Sequence, residues 1–413
     1  MDYDRYILLK YRSSNQGFDV VIGNPPYFLY QGSNKTELSV LKTVKKYEIA
    51  FGGKINAYKL FLANALQLLV KKNGINAFIF QNSFLADLQA VNLRNYVLSN
   101  CKIIVVDSFP ERDSKKKRVF ESVKMSVCIL IVQNQKSEEP FTVNIWNDKD
   151  KSSGITTHFT KNELVQIDPN SLTIPRLDER AKPIVMKMIK KRSVTIKCLE
   201  GELNITFHRS FFSDDSNLPT IMKGAGIQKY FYTFDMSQGQ IEYLKEKEYL
   251  DKFGESAKAH HHEFERIVMQ GMTGANDKIR LVMCLVPKGM YLGNSCNYII
   301  PSKDIPQKYL LGLMNSTLVN FFFRCFSTNS NVNGYEIESI PIPTATSAQQ
   351  QPIINLVDSI LAAKKDNSDT DTSAMEIEID KLVYQLYGLS YNEVLIVDPN
   401  TPITKEEYEV NNN

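Results

Sequence analysis

The stretch Phe18-Asp19-Val20-Val21-Ile22-Gly23-Asn24-Pro25-Pro26-Tyr27 decides the fold of the first part of this chain. Its apolar half, Phe18 to Ile22, has the composition of a short buried strand. The Asn-Pro-Pro-Tyr tetrapeptide follows directly, and a polar loop that contains lysine comes next. Ligands of open α/β sheets lie beyond the carboxyl ends of the strands. We therefore expect the chemistry of the molecule at this tetrapeptide.

The tetrapeptide suits methyl transfer to the exocyclic amine of a nucleobase. That amine is a poor nucleophile because its lone pair is delocalised into the ring, and a site that accepts both hydrogens drives the nitrogen towards tetrahedral geometry. Asn24 offers a side-chain carbonyl and Pro25 a backbone carbonyl, while Pro25 and Pro26 together form a stiff arm with fixed φ. Tyr27 offers a face on which an extruded base can stack. The alternative is a strand that ends in a Pro-Pro turn with a packed tyrosine.

Segments of strand and helix character follow in a regular order. They are a helix that opens at Ala57-Tyr58-Lys59-Leu60-Phe61-Leu62 and runs to Gly74, a strand over 77–85, the segment 92–98, a strand over 103–109, the tripeptide Val119-Phe120-Glu121, and the apolar run 125–132. Together with the tetrapeptide, this order resembles the γ-class, TaqI-type DNA adenine-N6 methyltransferases. It is closer still to the large type II restriction–modification polypeptides that carry such a methyltransferase, and the resemblance covers nearly the whole chain.

The resemblance implies a reaction and its residues. Asn24-Pro25-Pro26-Tyr27 would be the catalytic motif, and Phe120 would stack on a flipped adenine together with Tyr27. The substrate would be double-stranded DNA, and S-adenosylmethionine would supply the methyl group. Without the resemblance, Phe120 is equally well explained as a core aromatic residue before an apolar strand.

The cofactor-binding part of the family pattern lies upstream of the tetrapeptide. In the family, S-adenosylmethionine binds mainly to a strand, a glycine-rich turn and a helix, whereas only seventeen residues precede Phe18 here and they hold no such turn. The later clusters Gly224-Ala225-Gly226 and Gly271-Met272-Thr273-Gly274 are more typical of ordinary turns. We therefore interpret the chain as the part of a methyltransferase downstream of the cofactor motif. Its cofactor-binding residues stay unassigned, and its candidate partner is an upstream polypeptide region with the cofactor and nuclease motifs.

Composition excludes several other classes of protein. The 413 residues hold no apolar run near the roughly 18 residues of a membrane span, so we expect no membrane partner. Six cysteines lack the spacing of a metal site or a disulfide framework, which indicates reduced thiols in a cytoplasmic protein. The run His260-His261-His262-Glu263 does not predict a metal site, because consecutive side chains do not converge on one ion.

Two basic clusters are candidate DNA contacts. The net charge is only +3, so affinity for DNA must come from local clusters. One cluster, with Lys45 and Lys46, follows the tetrapeptide, and the run Lys115, Lys116, Lys117 and Arg118 directly precedes Phe120. Phosphate contacts at these places would anchor an opened duplex. The alternative is a solvated loop, which is the usual meaning of a charge run.

We expect three parts along the chain. Residues 1–148 alternate apolar strands with helical segments, which predicts an α/β fold, the downstream half of a Rossmann-like methyltransferase sheet. Residues 149–345 predict an α+β target-recognition domain, with an apolar helix over 309–323 and the family-like segments 218–230 and 334–343. Residues 346–413 predict C-terminal helices near 351–365 and 374–387.

Two functions remain open from the sequence. In the first, the chain is part of a restriction–modification enzyme that flips adenine and methylates its N6. In the second, it is a non-catalytic DNA-recognition and specificity module that acts with a partner chain. The recognised DNA sequence depends on which side chains reach the groove, and the sequence does not reveal it.

Overall fold

The computed structural model describes residues 17–30, 35–235, 240–274, 277–328 and 330–410. The chain forms two compact units, with the division between Glu179 and Arg180. The first unit is α/β, and the second is α+β with helices at its C-terminal end. The predicted fold class is therefore confirmed.

The first unit is built on a six-stranded mixed sheet with the order β1-β2-β4-β3-β5-β6. Its strands are β1 (Phe18–Gly23), β2 (Val70–Gln81), β3 (Lys102–Phe109), β4 (Val127–Gln133), β5 (Phe141–Trp146) and β6 (Gly154–Phe159). The pairs β1–β2 and β3–β5 are parallel, and the other pairs are antiparallel. The accompanying α-helices are α1 (Lys35–Lys42), α2 (Ala57–Asn64), α3 (Val91–Asn100) and α4 (Lys161–Ile167).

The two faces of this sheet differ in burial. Side chains alternate between the faces along a strand, and on β2 Phe78 and Phe80 are buried whereas Ile79 is only half-buried. Tyr58 of α2 stacks on Phe80 with ring centroids 5.1 Å apart, so α2 covers the buried face. Gly23 lies against the same face, where an added Cβ would approach the Phe78 ring to 2.5 Å. The opposite face is largely open among the described residues.

Strand β1 is the edge of the sheet and is poorly covered. Val20 is 52% exposed and Ile22 is 77% exposed. Within the described residues β1 pairs only with β2. The strand was predicted as buried, so this expectation is wrong for the described chain. The strand is apolar in composition, but no element within the described ranges covers the side chains of Val20 and Ile22.

The helix predicted from Ala57 to Gly74 ends early. After α2 comes one π-helical turn, Ala65–Leu69, and β2 begins at Val70. Asn73, within β2, takes a left-handed φ of 64°, a conformation that a continuing helix does not allow. It lies where the pairing of β2 with β1 shifts its register. Tertiary strand pairing therefore overrides the helical pattern here.

The sheet also extends beyond the predicted domain boundary near residue 148. That position lies in the connection between β5 and β6, whose strands pair from Phe141↔Phe159 to Trp146↔Gly154. The compact unit that holds the sheet accordingly runs on to Glu179. The functional roles predicted for residues 1–148, 149–345 and 346–413 stay predictions.

The second unit contains two four-stranded sheets, ordered β13-β9-β10-β8 and β12-β11-β14-β7. Their strands are β7 (Cys198–Glu200), β8 (Phe212–Ser213), β9 (Thr220–Met222), β10 (Glu242–Leu244), β11 (Arg266–Gln270), β12 (Met283–Val286), β13 (Tyr291–Leu292) and β14 (Cys296–Ile299). The α-helices of this unit are α5 (Lys182–Lys190), α6 (Glu246–Phe253), α7 (Gln307–Met314), α8 (Thr317–Phe326), α9 (Gly334–Glu338), α10 (Ser347–Asp366), α11 (Ser373–Tyr387), α12 (Tyr391–Val397) and α13 (Lys405–Glu409).

The apolar helix predicted over 309–323 is in fact two helices, α7 and α8. They are separated by Asn315 and Ser316. The Asn315 side chain exchanges hydrogen bonds of 3.1 and 2.9 Å with the backbone of Met283. Ser316 caps α8 by accepting from the backbone N–H of Val319. Helices α10 and α11 lie where the C-terminal helices were predicted.

Candidate active site at the carboxyl end of strand β1

The Asn-Pro-Pro-Tyr tetrapeptide begins where β1 ends, and backbone hydrogen bonds hold it on both sides. Before it, Gly23 pairs in register with Phe78 of β2. After it, Phe28 accepts from the backbone N–H of Ala57, and Tyr30 donates to the carbonyl of Ile55, both at 2.9 Å. The motif is therefore fixed between the sheet and the start of α2.

Tyr27 and Asn24 contact each other directly. The Tyr27 hydroxyl lies 2.6 Å from Asn24 Oδ1 and 2.9 Å from the backbone oxygen of Ile79. It carries one proton and donates to one of these oxygens at a time. Burial raises the pKa of Tyr27 to about 12, so the phenol stays protonated at neutral pH. Asn24 Oδ1 can therefore accept from the protonated phenol and still has a lone pair for a second donor.

The two prolines differ in exposure. Pro25 is buried and Pro26 is exposed. Among the described residues no donor reaches the backbone oxygen of Pro25. Asn24 is itself exposed. Asn24 Oδ1 is thus an accessible acceptor, and the carbonyl of the buried Pro25 keeps its accepting capacity because no described donor takes it.

Phe120 lies opposite Tyr27. The two ring centroids are 6.4 Å apart with an interplanar angle of 51°. Phe120 stands on the loop between β3 and β4, far from Tyr27 in sequence. The fold therefore brings together the two aromatic residues that the resemblance pairs.

Arg118 holds the Phe120 loop from within. It is buried, with only 8% exposure, and its guanidinium donates to the backbone oxygens of Arg112, at 3.2 Å, and Glu121. These two carbonyls lie on either side of Phe120 in sequence. Unlike its three lysine neighbours, Arg118 does not present its charge to solvent. The charge run in the sequence does not distinguish Arg118 from these three lysines.

The lysines of the two basic clusters are mostly accessible. Lys115, Lys116 and Lys117 are exposed, and so is Lys45. Lys46 is half-buried, donates to Asn64 at 3.1 Å and lies 4.8 Å from the centre of the Tyr47 ring. Lys42 and Lys54, which also belong to the first cluster, are exposed as well, so both clusters present cations to solvent.

Lys59 is a buried lysine that the sequence reasoning did not single out for a role. Its ammonium group donates to the backbone oxygens of Gly52, Lys54 and Gln89 at 3.3, 3.1 and 2.6 Å. Burial lowers the pKa of Lys59 to about 8. Its position inside the family-like segment is visible in the sequence, but its partners come from a loop and a distant turn. It organises the backbone beside α2.

The described residues form no metal centre. They contain no group of three His, Cys, Asp or Glu side chains placed to hold a metal ion. Gly224 and Gly226 form a tight turn, and a Cβ at Gly224 would approach the backbone oxygen of Ser295 to 2.2 Å. Gly224 therefore serves close packing of this turn against the Ser295 backbone. None of the helices in the described ranges combines the length and apolar character needed to cross a membrane.

Comparison with known families assigns both parts of the chain. Residues 3–115 match the Eco57I restriction-modification methylase, and residues 219–342 match the TaqI-like C-terminal specificity domain. The chain combines a restriction–modification methylase region with a TaqI-like specificity domain. This confirms the recognition made from the sequence.

One curated relative aligns over most of the chain, and a second aligns over a smaller part of it. A type II restriction enzyme and methyltransferase of Methanocaldococcus jannaschii is 22% identical over 406 residues, covering 90% of this chain and 31% of that protein. The type II restriction enzyme and methyltransferase RM.Eco57I of Escherichia coli is 27% identical over 132 residues, covering 31% of this chain and 12% of that protein. The chain thus spans less than a third of the length of these relatives.

One solved structure shares the fold of the chain. It is the type IIL restriction-modification enzyme MmeI, determined in complex with DNA. The match has a TM-score of 0.57 and 14% identity, and it covers 94% of this chain and 57% of MmeI. At this identity the likeness establishes the fold alone.

Proposed function

We propose that this chain is part of a restriction–modification DNA methyltransferase that flips an adenine out of duplex DNA and methylates its N6. One observation carries the proposal. Two carbonyl acceptors, on Asn24 and Pro25, lie at the end of β1 beside a facing pair of rings, Tyr27 and Phe120. This combination of paired acceptors and paired aromatic faces fits an exocyclic amine on a flat base. The family matches support the broader role of a DNA methyltransferase.

The acceptors would activate the amine. Asn24 Oδ1 takes one amine hydrogen and the Pro25 carbonyl takes the other. The nitrogen then approaches tetrahedral geometry and its lone pair becomes available. No strong general base is needed, because the amine becomes acidic only as the methyl group arrives and its proton can leave to solvent. The Tyr27 hydroxyl, already on Asn24, keeps the side-chain oxygen pointed into the site.

The aromatic pair would hold the base. Flipped bases are read by hydrogen bonds and held by stacking on apolar or aromatic side chains. Tyr27 is fixed by its hydroxyl and Phe120 by the loop that Arg118 anchors. Because the two ring centroids are 6.4 Å apart and the ring planes are tilted by 51°, one of the rings would shift to admit a base between them.

The lysines would anchor the duplex. Exposed Lys115, Lys116 and Lys117 lie directly before Phe120, and Lys45 and Lys46 form the second candidate contact. Such contacts neutralise phosphates and fix the position of the protein without reading bases. Base reading would then belong to the specificity domain. A protein that modifies host DNA acts in the cytoplasm of its cell.

An upstream region would complete the enzyme. The exposed apolar side chains of Val20 and Ile22, and the single pairing of β1 within the described residues, fit a sheet that continues on the other side of β1. S-Adenosylmethionine, bound mainly by that region, would supply the methyl group.

Calorimetry with S-adenosylmethionine tests this assignment. The chain alone should show little or no binding, whereas the chain joined to the upstream region should bind the cofactor tightly and methylate adenine in DNA. Binding of DNA by the joined protein without any methylation would favour the alternative, a non-catalytic recognition module. Methylome sequencing of a host that expresses the joined protein would give the recognised site.

A further inference from the structure

The side-chain amides of Asn56 and Gln81 and the backbone N–H of Tyr58 form a chain of hydrogen bonds beside the motif, and this chain has one fixed direction. Asn56 precedes α2 and caps it, because its Oδ1 accepts from the backbone N–H of Tyr58. This cap fixes which atom of the Asn56 amide is oxygen. Its Nδ2 therefore donates to Gln81 Oε1, at 2.9 Å. Gln81 must accept through its oxygen, so its Nε2 is left as the outward end of the chain.

That Nε2 has no partner within the described residues. Gln81 is half-buried, and no described acceptor reaches its amide nitrogen. In the free protein the nitrogen is accessible to water. Its direction is nonetheless set, because rotating the amide would place its NH2 group against the Nδ2 of Asn56. The N-cap of α2 therefore imposes the orientation of this donor, whereas the side-chain amide of an ordinary surface glutamine is free to rotate.

Gln81 lies beside the motif. It is the last residue of β2, two residues after Ile79, whose carbonyl contacts the Tyr27 hydroxyl. Residues two apart on a strand face the same side and are roughly 6–7 Å apart. Its partner Asn56 forms a backbone bridge with Leu29, two residues after Tyr27. The side chain of Gln81 thus stands between the strand end and the segment that follows the tetrapeptide.

We propose that Gln81 donates a hydrogen bond through Nε2 to ring nitrogen N1 of the flipped adenine. The inference rests on the function proposed above and extends it to one more base contact. N1 and the amine share the Watson–Crick edge, which is the edge that base-flipping enzymes read. N1 is an acceptor, and a donor there complements the two carbonyls that accept from the amine. The contact fixes the base in its own plane, so that both amine hydrogens meet Asn24 and Pro25 together.

Two isosteric variants of the complete polypeptide test the direction of this chain. Q81E keeps the bond from Asn56, since a carboxylate also accepts, but presents an oxygen to N1. N56D still caps α2 but cannot donate, so the Gln81 amide should rotate and turn its oxygen outwards. Both variants should lower kcat/KM for methylation by roughly tenfold to a hundredfold, the usual consequence of an unmatched buried polar group. Gln133→Glu, on β4, is the matched control and should methylate at the wild-type rate.

The atom contacted is tested with DNA that carries 1-deazaadenine at the target position, where a C–H group replaces N1. The ratio of wild-type to Q81E activity should fall from that ten- to hundredfold value to about 1 on this substrate. An unchanged ratio would overturn the inference, as would wild-type activity of Q81E on adenine. Thermal unfolding of each variant, at the wild-type temperature, shows that the fold is kept.

Different experimental outcomes would contradict the proposed function and the proposed contact of Gln81. If wild-type protein leaves adenine unmethylated, the proposed function falls and this inference falls with it. If Q81E is fully active while the Asn24→Ala variant of the same protein is inactive, only the contact of Gln81 is overturned.

Discussion

At the scale of single residues, the Tyr27 hydroxyl forms the contact with the largest consequence for the proposed reaction. It binds Asn24 Oδ1, the oxygen that would accept from the target amine. A rotatable asparagine side chain on an exposed segment would lose entropy each time it bound a base. The phenol holds it in place beforehand, and its raised pKa keeps it a donor over the whole physiological pH range.

Replacing Asn24 by alanine in the complete polypeptide should lower the methylation rate about a hundredfold or more, because a preorganised polar contact to the reacting group is lost. DNA affinity should stay nearly constant, since phosphate and groove contacts lie elsewhere. Single-turnover methylation and a binding isotherm measure the two quantities. Methylation at the wild-type rate would contradict the role given to Asn24.

Replacing Phe120 by alanine should lower kcat/KM by roughly tenfold to a hundredfold, since stacking on an aromatic side chain contributes about 1–3 kcal/mol per base. Phe120→Tyr keeps a ring of the same size and should retain most of the activity. Steady-state methylation of one duplex by the two variants makes the comparison. Equal activity of the alanine and tyrosine variants would mean that Phe120 is only a packed loop residue.

Single residues also show where sequence reasoning succeeds and where it stops. The placement of Asn24–Tyr27 directly after a strand could be predicted, because a strand signal and a rigid proline pair are local features of the sequence. The role of Arg118 could not, because the difference between it and Lys117 is burial, which depends on the backbone carbonyls of Arg112 and Glu121. The bond between Asn56 and Gln81 was hidden for the same reason, although the capping position of Asn56 is readable in sequence.

At the scale of structural elements, the loop between β3 and β4 separates two tasks. Arg118 fixes the backbone beside Phe120, while the preceding lysines are solvated. Changing Lys115, Lys116 and Lys117 to glutamine should weaken binding equally to cognate and scrambled duplexes. The slope of log K against log salt should flatten by roughly 0.9 for each phosphate contact that is lost.

Arg118→Met is the matched control for these lysines. It removes one positive charge from the same run, but a buried one, so the salt slope should stay as in the wild type. Binding isotherms at several salt concentrations give the slopes. If the lysine variant keeps the wild-type slope, the run is a solvated loop and contacts no phosphate.

Strand β3 carries a buried carboxylate whose partners come from the β5–β6 hairpin. Asp107 accepts from Asn144, the Trp146 indole and the Lys151 ammonium at 2.8, 3.0 and 2.6 Å. Burial by itself would raise the pKa of Asp107, but these hydrogen bonds outweigh it and lower the pKa below its usual value. The carboxylate therefore stabilises the fold above its unfolded pKa of about 3.9, and this contribution is lost as the pH falls through the folded pKa.

Asp107→Asn should lower the free energy of unfolding by roughly 1–3 kcal/mol at neutral pH. The difference from wild type should begin to shrink as the pH falls below the unfolded pKa of about 3.9, and it should be lost as the pH falls through the lower folded pKa. Denaturant unfolding at neutral and acidic pH measures it. Asp150→Asn, an exposed position between the same strands, should change little at either pH. A constant difference at both pH values would contradict the assignment.

The element boundaries that the sequence missed have one physical cause. The start of β2 at Val70 and the break at Asn315 both follow from partners distant in sequence, strand β1 and the backbone of Met283. Periodicity over a short window carries no information about such partners. It predicted the long helices α10 and α11 well, because their burial pattern repeats along one continuous element.

At the scale of the whole molecule, the first unit ends at a strand edge. If an upstream region pairs with β1, the β1 amides that face away from β2 should exchange with solvent slowly in the complete polypeptide and quickly in this chain alone. Hydrogen–deuterium exchange with peptide-level readout makes the measurement. The central strand β4, paired on both sides here, should exchange equally in both proteins. Fast exchange of β1 in the complete polypeptide would contradict pairing on that side.

The open edge at β1 should also affect the association state of the isolated chain in solution. An uncovered strand with apolar side chains is a template for edge-to-edge pairing with any other strand, including that of a second copy. Concentrated preparations should therefore self-associate, and the association would occlude the neighbouring Asn24 segment from DNA. A lysine in place of Val20 would discourage such pairing, because charged side chains protect sheet edges in natural proteins. Assays on the chain alone are best made dilute, or with this replacement.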